Sequence, residues 1–289
     1  LLREYLIPTV RRHFPVVTDY PGTIGLRFNF INGGTSGLMS NVKIRKAISY
    51  SIDREEMIDA VYGRYNPAYS YVAPAITFNG SSYRSQVGEV IEDEYNEYVG
   101  DPDKIVALFQ EGLDELGVET PIEDITLTYL TSGSTTEVQA EREYIQQSLE
   151  ETLGLTVELS VAGDNSLFIA DRNEGNYDFF LGGWYSDYND PLDFLYTNYT
   201  DAYGMSFGGY SNTDYDALAD QLVGETDMDK RLDIYKQMEQ ILLLDDCAFA
   251  PIYYATKQVL LQNWVKDYRT SSFGASAEFI WTYIDGKNQ

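Results

Sequence analysis

Catalysis and metal binding need side chains that carry protons or charge, and this sequence supplies them unevenly. It has one histidine, His13, and one cysteine, Cys247, beside 46 acidic and 20 basic residues in 289. One cysteine forms no intramolecular disulfide and no zinc site of several cysteines. One histidine makes a His-rich metal site impossible and excludes Ser-His-Asp and Cys-His mechanisms unless His13 itself serves. His13 follows Arg11-Arg12 in a polar stretch that predicts a solvated surface residue. Cys247 opens an apolar run and predicts a small core residue. Among 46 carboxylates some pair always resembles an acid/base couple, so a glycosidase reading has no compact motif behind it.

A different chemistry is legible in Leu181-Gly182-Gly183-Trp184-Tyr185-Ser186-Asp187-Tyr188-Asn189-Asp190-Pro191. Two glycines weaken a strand, and their presence predicts a second backbone in close approach. The tryptophan beside them offers a flat apolar wall, and Asp187 a charge at its edge. Together they suit a ligand with an extended backbone and a cationic end. Each part also has a plainer reading: a Gly-Gly bulge, a core tryptophan, and turn chemistry leading into a helix at Pro191.

The net charge of −26 repels phosphate backbones and anionic headgroups, so nucleic acid is not an expected partner. Solubility is the plainest account of such acidity. No run of eighteen apolar residues predicts a membrane span. The first residues, Leu1-Leu2-Arg3-Glu4-Tyr5, lack signal-peptide organisation and read as the middle of an element.

The elements that must position the Gly-Trp segment follow from periodicity and caps. Val42, Ile44, Ala47 and Ile48 predict a helix over 41–50. Asp53 and Glu56 have capping-box spacing, and Gly63 closes that helix. Residues 65–100 predict a long, mostly irregular excursion. Asp101-Pro102 is an N-cap followed by proline at the first helical position, and Gly117 ends the helix. Strands over 125–130, 155–161 and 177–184 alternate with helices over 137–153 and 166–172, which predicts a parallel sheet. Helices over 213–223 and 230–244 and a strand pair, 249–254 and 258–261, complete the prediction. Ligands of such sheets sit beyond the carboxyl ends of the strands, where the third strand places Trp184 and Asp187.

Several segments together resemble the bacterial extracellular solute-binding proteins of the oligopeptide/dipeptide/nickel type, family 5. They are Val42-Lys43-Ile44-Arg45-Lys46-Ala47-Ile48 with Ile52-Asp53-Arg54, and Pro67-Ala68-Tyr69-Ser70-Tyr71-Val72-Ala73-Pro74. Further along come Tyr177-Asp178 through Gly183-Trp184 to Asp187-Tyr188-Asn189-Asp190-Pro191, then Tyr210-Ser211-Asn212, Tyr215-Asp216 and Ala250-Pro251-Ile252-Tyr253-Tyr254. Order and spacing agree across nearly the whole chain.

The resemblance implies an α/β, periplasmic-binding-protein-like type II lobe with a mixed, largely parallel sheet flanked by helices. It implies residues 29–255 as the second, ligand-binding lobe, 1–28 as a remnant of the first lobe and a crossing segment, and 256–289 as a return segment. The crossings would fall near 27–31 and 253–257. It implies a substrate-binding component of an ABC importer, with a peptide ligand, permease subunits as partners, a monomeric state, no enzymatic activity and no cofactor or metal. The full-length protein would be extracellular and lipid-anchored, or periplasmic in a Gram-negative source.

The positions matching Gly183, Trp184 and Tyr185 would pair with the peptide backbone, and the one matching Asp187 would receive its ammonium. Arg172 matches a basic position near the cleft, with a surface arginine at a helix end as the alternative; Tyr71 is a further candidate contact. Where some oligopeptide binders carry an arginine on the third strand, this chain has Leu181, which leaves ligand length open. An oligosaccharide held by the same fold, with Trp184 and the tyrosines of 65–83 stacking on sugar rings, is the alternative ligand.

Overall fold

The structure, a computed structural model, describes residues 13–200, 207–273 and 277–287. Strand β1 spans His13–Phe28; the expectation for the His13 side chain lies outside the described residues. Helix α1, Val42–Tyr50, starts at Asn41, whose side chain accepts the N–H groups of Lys43 and Ile44. Helix α2, Arg54–Met57, is capped by the Asp53 carboxylate on Glu56 N–H at 3.0 Å and runs into a π-helical turn, Ile58–Tyr62. Gly63 closes it at φ 60, a left-handed position that suits glycine.

The excursion over 65–100 is mostly irregular, as its composition predicts, but holds short elements. These are β2 (Asn66–Pro67), β3 (Thr77–Phe78), β4 (Ser81–Ser82), α3 (Tyr83–Val87) and α4 (Glu92–Tyr98). Of the α4 residues Tyr95 alone is buried, so no apolar stripe announced that helix.

Helix α5 (Pro102–Leu116) lies between its Asp101 cap and Gly117, as expected. Then β5 (Thr126–Ser132), α6 (Thr136–Leu153), β6 (Thr156–Ala162), α7 (Asn165–Glu174) and β7 (Phe179–Tyr185) alternate as the periodicity predicts. Helices α8 (Pro191–Leu195), α9 (Thr213–Gln221) and α10 (Met228–Gln240) lead to β8 (Phe249–Gln262), with β9 (Val265–Lys266) and β10 (Tyr283–Ile284) pairing beyond it.

The six-stranded sheet has the order β2-β8-β1-β7-β5-β6. It is mixed: β7, β5 and β6 are parallel, whereas β1 is antiparallel to both β7 and β8, and β2 is antiparallel to β8. The expected strand pair over 249–261 is instead one continuous strand, and its partner is β1, more than 200 residues earlier in the chain. The polar Thr256-Lys257 break in the apolar pattern does not interrupt the strand. It falls where the register shifts, between Asp19 and Thr23 on β1 opposite Thr256 and Tyr254 on β8. Beyond that shift β1 and β8 continue as a ribbon of two strands.

Side chains alternate across the sheet, so two apolar layers form. One joins Leu26, Phe28, Leu127, Tyr129 and Phe179 to α1, α5 and α6. The other joins Phe249 and Tyr254 to α8–α10 and the 68–91 segment. Cys247 is buried, as its apolar setting predicts. Two arginines of the early motif staple these layers through backbone oxygens. Arg45 donates to the carbonyls of Met39, Asp246 and Cys247. Arg54, 0% exposed, donates from Nε to Pro251 O at 2.7 Å and Ala68 O at 3.1 Å, and from Nη2 to Ser49 Oγ at 3.1 Å.

Candidate functional site

Strand β7 reaches further than its parallel neighbour accompanies it. On one flank it pairs with β1 along its whole length, from Phe28↔Phe179 to Gly22↔Tyr185. On the other, β5 meets it at Phe179 and Phe180, and no described strand pairs with Leu181–Tyr185 on that side. About 16 Å of strand therefore carries backbone N–H and C=O groups on an open flank. Such a flank is a template for another extended chain.

Asp178 sets where this edge begins. Fully buried, it accepts Ser36 N–H at 2.9 Å, Ser36 Oγ–H at 2.7 Å and Thr128 N–H at 2.7 Å, tying the 31–40 loop and β5 to the foot of β7.

The glycines do bring a second backbone close, but it is the chain's own. A Cβ on Gly183 would lie 1.9 Å from Thr23 O of β1, and one on Gly25 would lie 2.1 Å from Ala250 O of β8. Gly182 meets only the Phe180 ring, at 2.8 Å. Gly183 and Gly25 let β7, β1 and β8 pack tightly, which is a sufficient reason for their presence.

Trp184 is half-buried, its ring against the second apolar layer and its Nε1–H donated to Asp193 Oδ2 at 2.8 Å. Tyr185 is 48% exposed and rests on Tyr20 at 5.6 Å between ring centres. The following turn uses the chemistry expected of it. Ser186 N–H donates to Pro21 O, the Asn189 Oδ1 accepts Thr77 N–H, and Asp190 caps α8 through Leu192 N–H at 2.8 Å. Asp187 is the exception: it is exposed, and among the described residues nothing pairs with its carboxylate. The edge thus ends in an aromatic wall and an uncommitted negative charge.

Two predicted contacts stand elsewhere. Tyr71 is 0% exposed, its hydroxyl accepting from Arg27 Nη2 at 2.6 Å and bonded to Thr197 Oγ1 at 2.8 Å. Its backbone is held by Glu239, a buried carboxylate that also takes Val72 N–H, Tyr83 Oη–H and the Arg84 guanidinium. The proline-bounded aromatic stretch is therefore core, and Tyr71 reaches no ligand in this arrangement. Arg172 lies in the last turn of α7, beside Tyr177 at the foot of β7, six strand residues and about 20 Å from Tyr185. It is not part of the Trp184–Asp187 end.

Of the surroundings of Tyr185, the sequence singled out only Tyr65, in the tyrosine-rich stretch 65–83. Tyr20, Tyr65, Tyr185, Ala255, Thr256 and Lys257 line an open cavity of about 280 Å³ at the β1/β8 register shift. Behind it Tyr65 stacks on Tyr253 at 4.5 Å, and Arg64 over Tyr65 forks onto Glu137 of α6. One turn on, Glu141 accepts from the Tyr62 hydroxyl, and burial pushes its carboxyl up to about 7. The i, i+4 spacing of Glu137 and Glu141 was the available signal, hidden among so many acidic residues.

Among the described residues no group of His, Cys, Asp and Glu is placed to hold a metal, and no helix is long and apolar enough to cross a membrane.

Comparisons with known proteins agree with this architecture. The dipeptide-binding protein DppE of Bacillus subtilis is 30% identical over 249 residues, 86% of this chain and 42% of that protein. The oligopeptide-binding protein OppA of the same organism is 31% identical, over 79% of this chain and 39% of its own length. The chain thus spans less than half the length of these relatives. In three dimensions it matches Listeria monocytogenes OppA bound to peptide with a TM-score of 0.73 at 30% identity, covering 93% of this chain and 50% of that one. It also shares the fold of the substrate-binding domain of an oligopeptide ABC transporter from Bacillus anthracis, with a TM-score of 0.78 at 24% identity over 98% and 52% of the two chains. The family model for bacterial extracellular solute-binding proteins, family 5 (middle part), matches residues 8–206. An α/β lobe with this strand order, this sequence kinship and that match place the chain in one family: it belongs to the bacterial extracellular solute-binding proteins, family 5.

Proposed function

We propose that this chain is the ligand-gripping lobe of an oligopeptide-binding protein that serves an ABC importer. A peptide adds as a strand along the open flank of β7 at Leu181–Tyr185, and Asp187 receives its α-ammonium. The observation that carries this reading is the unpaired run of β7 ending at an exposed, unpartnered carboxylate. Main-chain hydrogen bonds give affinity without reading side chains. A cation withdrawn from water needs a charged partner, which Asp187 supplies. Family relatives named as peptide-binding proteins support the ligand class.

The paired strands β1 and β8 are the proposed connection to a first lobe. No third described strand pairs with them before Gly22 on β1 or beyond Tyr254 on β8, which supports a first crossing several residues before the 27–31 suggested by resemblance. The second lobe then begins near residue 22 rather than 29. In the full-length protein the lobe is held outside the cytoplasm, in the periplasm or on a lipid anchor, and delivers its cargo to permease subunits. It performs no chemistry on the ligand.

Mass spectrometry of small molecules carried through purification of the full-length protein tests the ligand class. Peptides with free amino termini are the expected result. A sugar, for which the tyrosine-lined cavity beside Tyr185 offers stacking rings, or a metal chelate would overturn the peptide reading.

A further inference from the structure

Two donors from the proposed grip converge on one atom. The Trp184 indole Nε1–H lies 2.8 Å from Asp193 Oδ2, and the backbone N–H of Asp187 lies 2.9 Å from the same oxygen. Asp193 is 7% exposed, and among the described residues no lysine or arginine pairs with it. A buried carboxylate without a cation is costly unless hydrogen bonds offset the lost hydration. Here the two N–H donors supply that offset, each as a charge-assisted bond stronger than a neutral one.

Helix capping does not explain the residue, because Asp190 already caps α8 through Leu192 N–H. What Asp193 joins is the aromatic wall to the turn that carries the exposed carboxylate. With both donors on one oxygen, the indole cannot rotate, nor the chain at Asp187 swing, without breaking a hydrogen bond in a buried place.

We propose that Asp193 is the positioning residue of the ligand-binding edge: by holding Trp184 Nε1–H and Asp187 N–H on a single oxygen, it fixes the spacing between the apolar platform and the charge that meets a peptide's ammonium. This rests on the peptide reading above and adds to it the residue that sets the geometry of the grip. Asp193 acts through its two neighbours and touches no ligand itself.

The test uses the full-length protein with two readouts. The first is the indole ¹H–¹⁵N signal of Trp184, recognised by its loss in Trp184→Phe, with its hydrogen-exchange rate. The second is the affinity for tri- to pentaalanine with a free amino terminus. Asp193→Ala is expected to shift the Trp184 signal, speed its exchange and weaken peptide binding by roughly ten-fold or more, as when a buried donor loses its acceptor. Asp193→Asn keeps an oxygen able to accept both N–H groups, and is expected to retain the signal position and most of the affinity.

Equal losses in Asn and Ala variants would overturn the proposal, since they would make Asp193 a direct charge partner. Unchanged affinity in Asp193→Ala, with only a lower melting temperature, would overturn it too. Should the wild type bind no alanine peptide, the peptide reading fails. In that case an unmoved Trp184 signal in Asp193→Ala overturns the positioning contact, and a shifted one upholds it.

Discussion

Arg54 shows how much of the molecule's stability can sit in one polar side chain. Its guanidinium is sealed from water yet satisfied by the carbonyls of Ala68 and Pro251 and by Ser49. Removing it strands those carbonyls, each worth about 1–3 kcal/mol when buried without a partner. Arg54→Ala is expected to lower the urea midpoint by the equivalent of about 3 kcal/mol or more, or to prevent soluble folding. A loss under about 1 kcal/mol would show that the contacts are dispensable.

Glu141 gives the residue scale a pH dependence. Burial raises its carboxyl to about 7, whereas in the unfolded chain it titrates near its ordinary value of about 4.3. Between those values the folded state keeps a proton the unfolded chain has released, so stability falls as pH rises through that window. Glu141→Gln is expected to be more stable than the wild type at about pH 8, with the gap closing toward about pH 4. Urea melts that show the same gap at both ends would contradict this. Neither residue's environment was legible in the sequence. Asp53-Arg54 stood out by its resemblance, but a motif does not say whether an arginine faces water, a ligand or buried backbone carbonyls. Glu141 was one carboxylate among 46.

At the scale of elements, the caps explain why so many boundaries were readable. Asn41, Asp53, Asp101, Asp164, Asn212 and Asp227 each accept a first-turn N–H, and glycines at 63, 117, 154 and 175 end helices in left-handed geometry. Local chemistry of this kind is written in neighbouring letters. The pairing of β1 with β8 is not, because its two strands are far apart in the chain and its register shifts midway.

The glycines of β7 divide the same way. The close approach of Gly183 to a backbone was predictable and the identity of that backbone was not, while Gly182 approaches none. Gly183→Ala would drive a methyl into Thr23 O, a fixed backbone atom, whereas Gly182→Ala meets the edge of a Phe180 ring that can turn. Gly183→Ala is therefore expected to destabilise by about 1–3 kcal/mol and Gly182→Ala by clearly less, measured by denaturant unfolding. Equal effects would mean that β1 and β7 are free to separate.

At the scale of the whole molecule, the family and the fold class were readable because their signals are distributed. Segments from Val42 to Tyr254 each contribute a little, so no single position carries the match. The candidate site was readable only in part. Trp184, Tyr185 and Asp187 do share the open end of β7, while Tyr71 belongs to the core and Arg172 to the strand's other end. Position along a motif carried the first three, and only folding separates them from the other two. Among the described residues the result is an open flank on β7 over Leu181–Tyr185, an indole fixed beside it and an exposed carboxylate just beyond its end.

The most direct measurement pairs a variant with a modified ligand on the full-length protein: affinities of wild type and Asp187→Asn for one alanine peptide, with its amino terminus free and acetylated. The account predicts that acetylation and the substitution each cost the wild-type complex roughly 2–5 kcal/mol, as for a broken buried charge pair, and that together they cost little more than either alone. Full affinity of Asp187→Asn for the free-amine peptide, or losses that simply add, would contradict it.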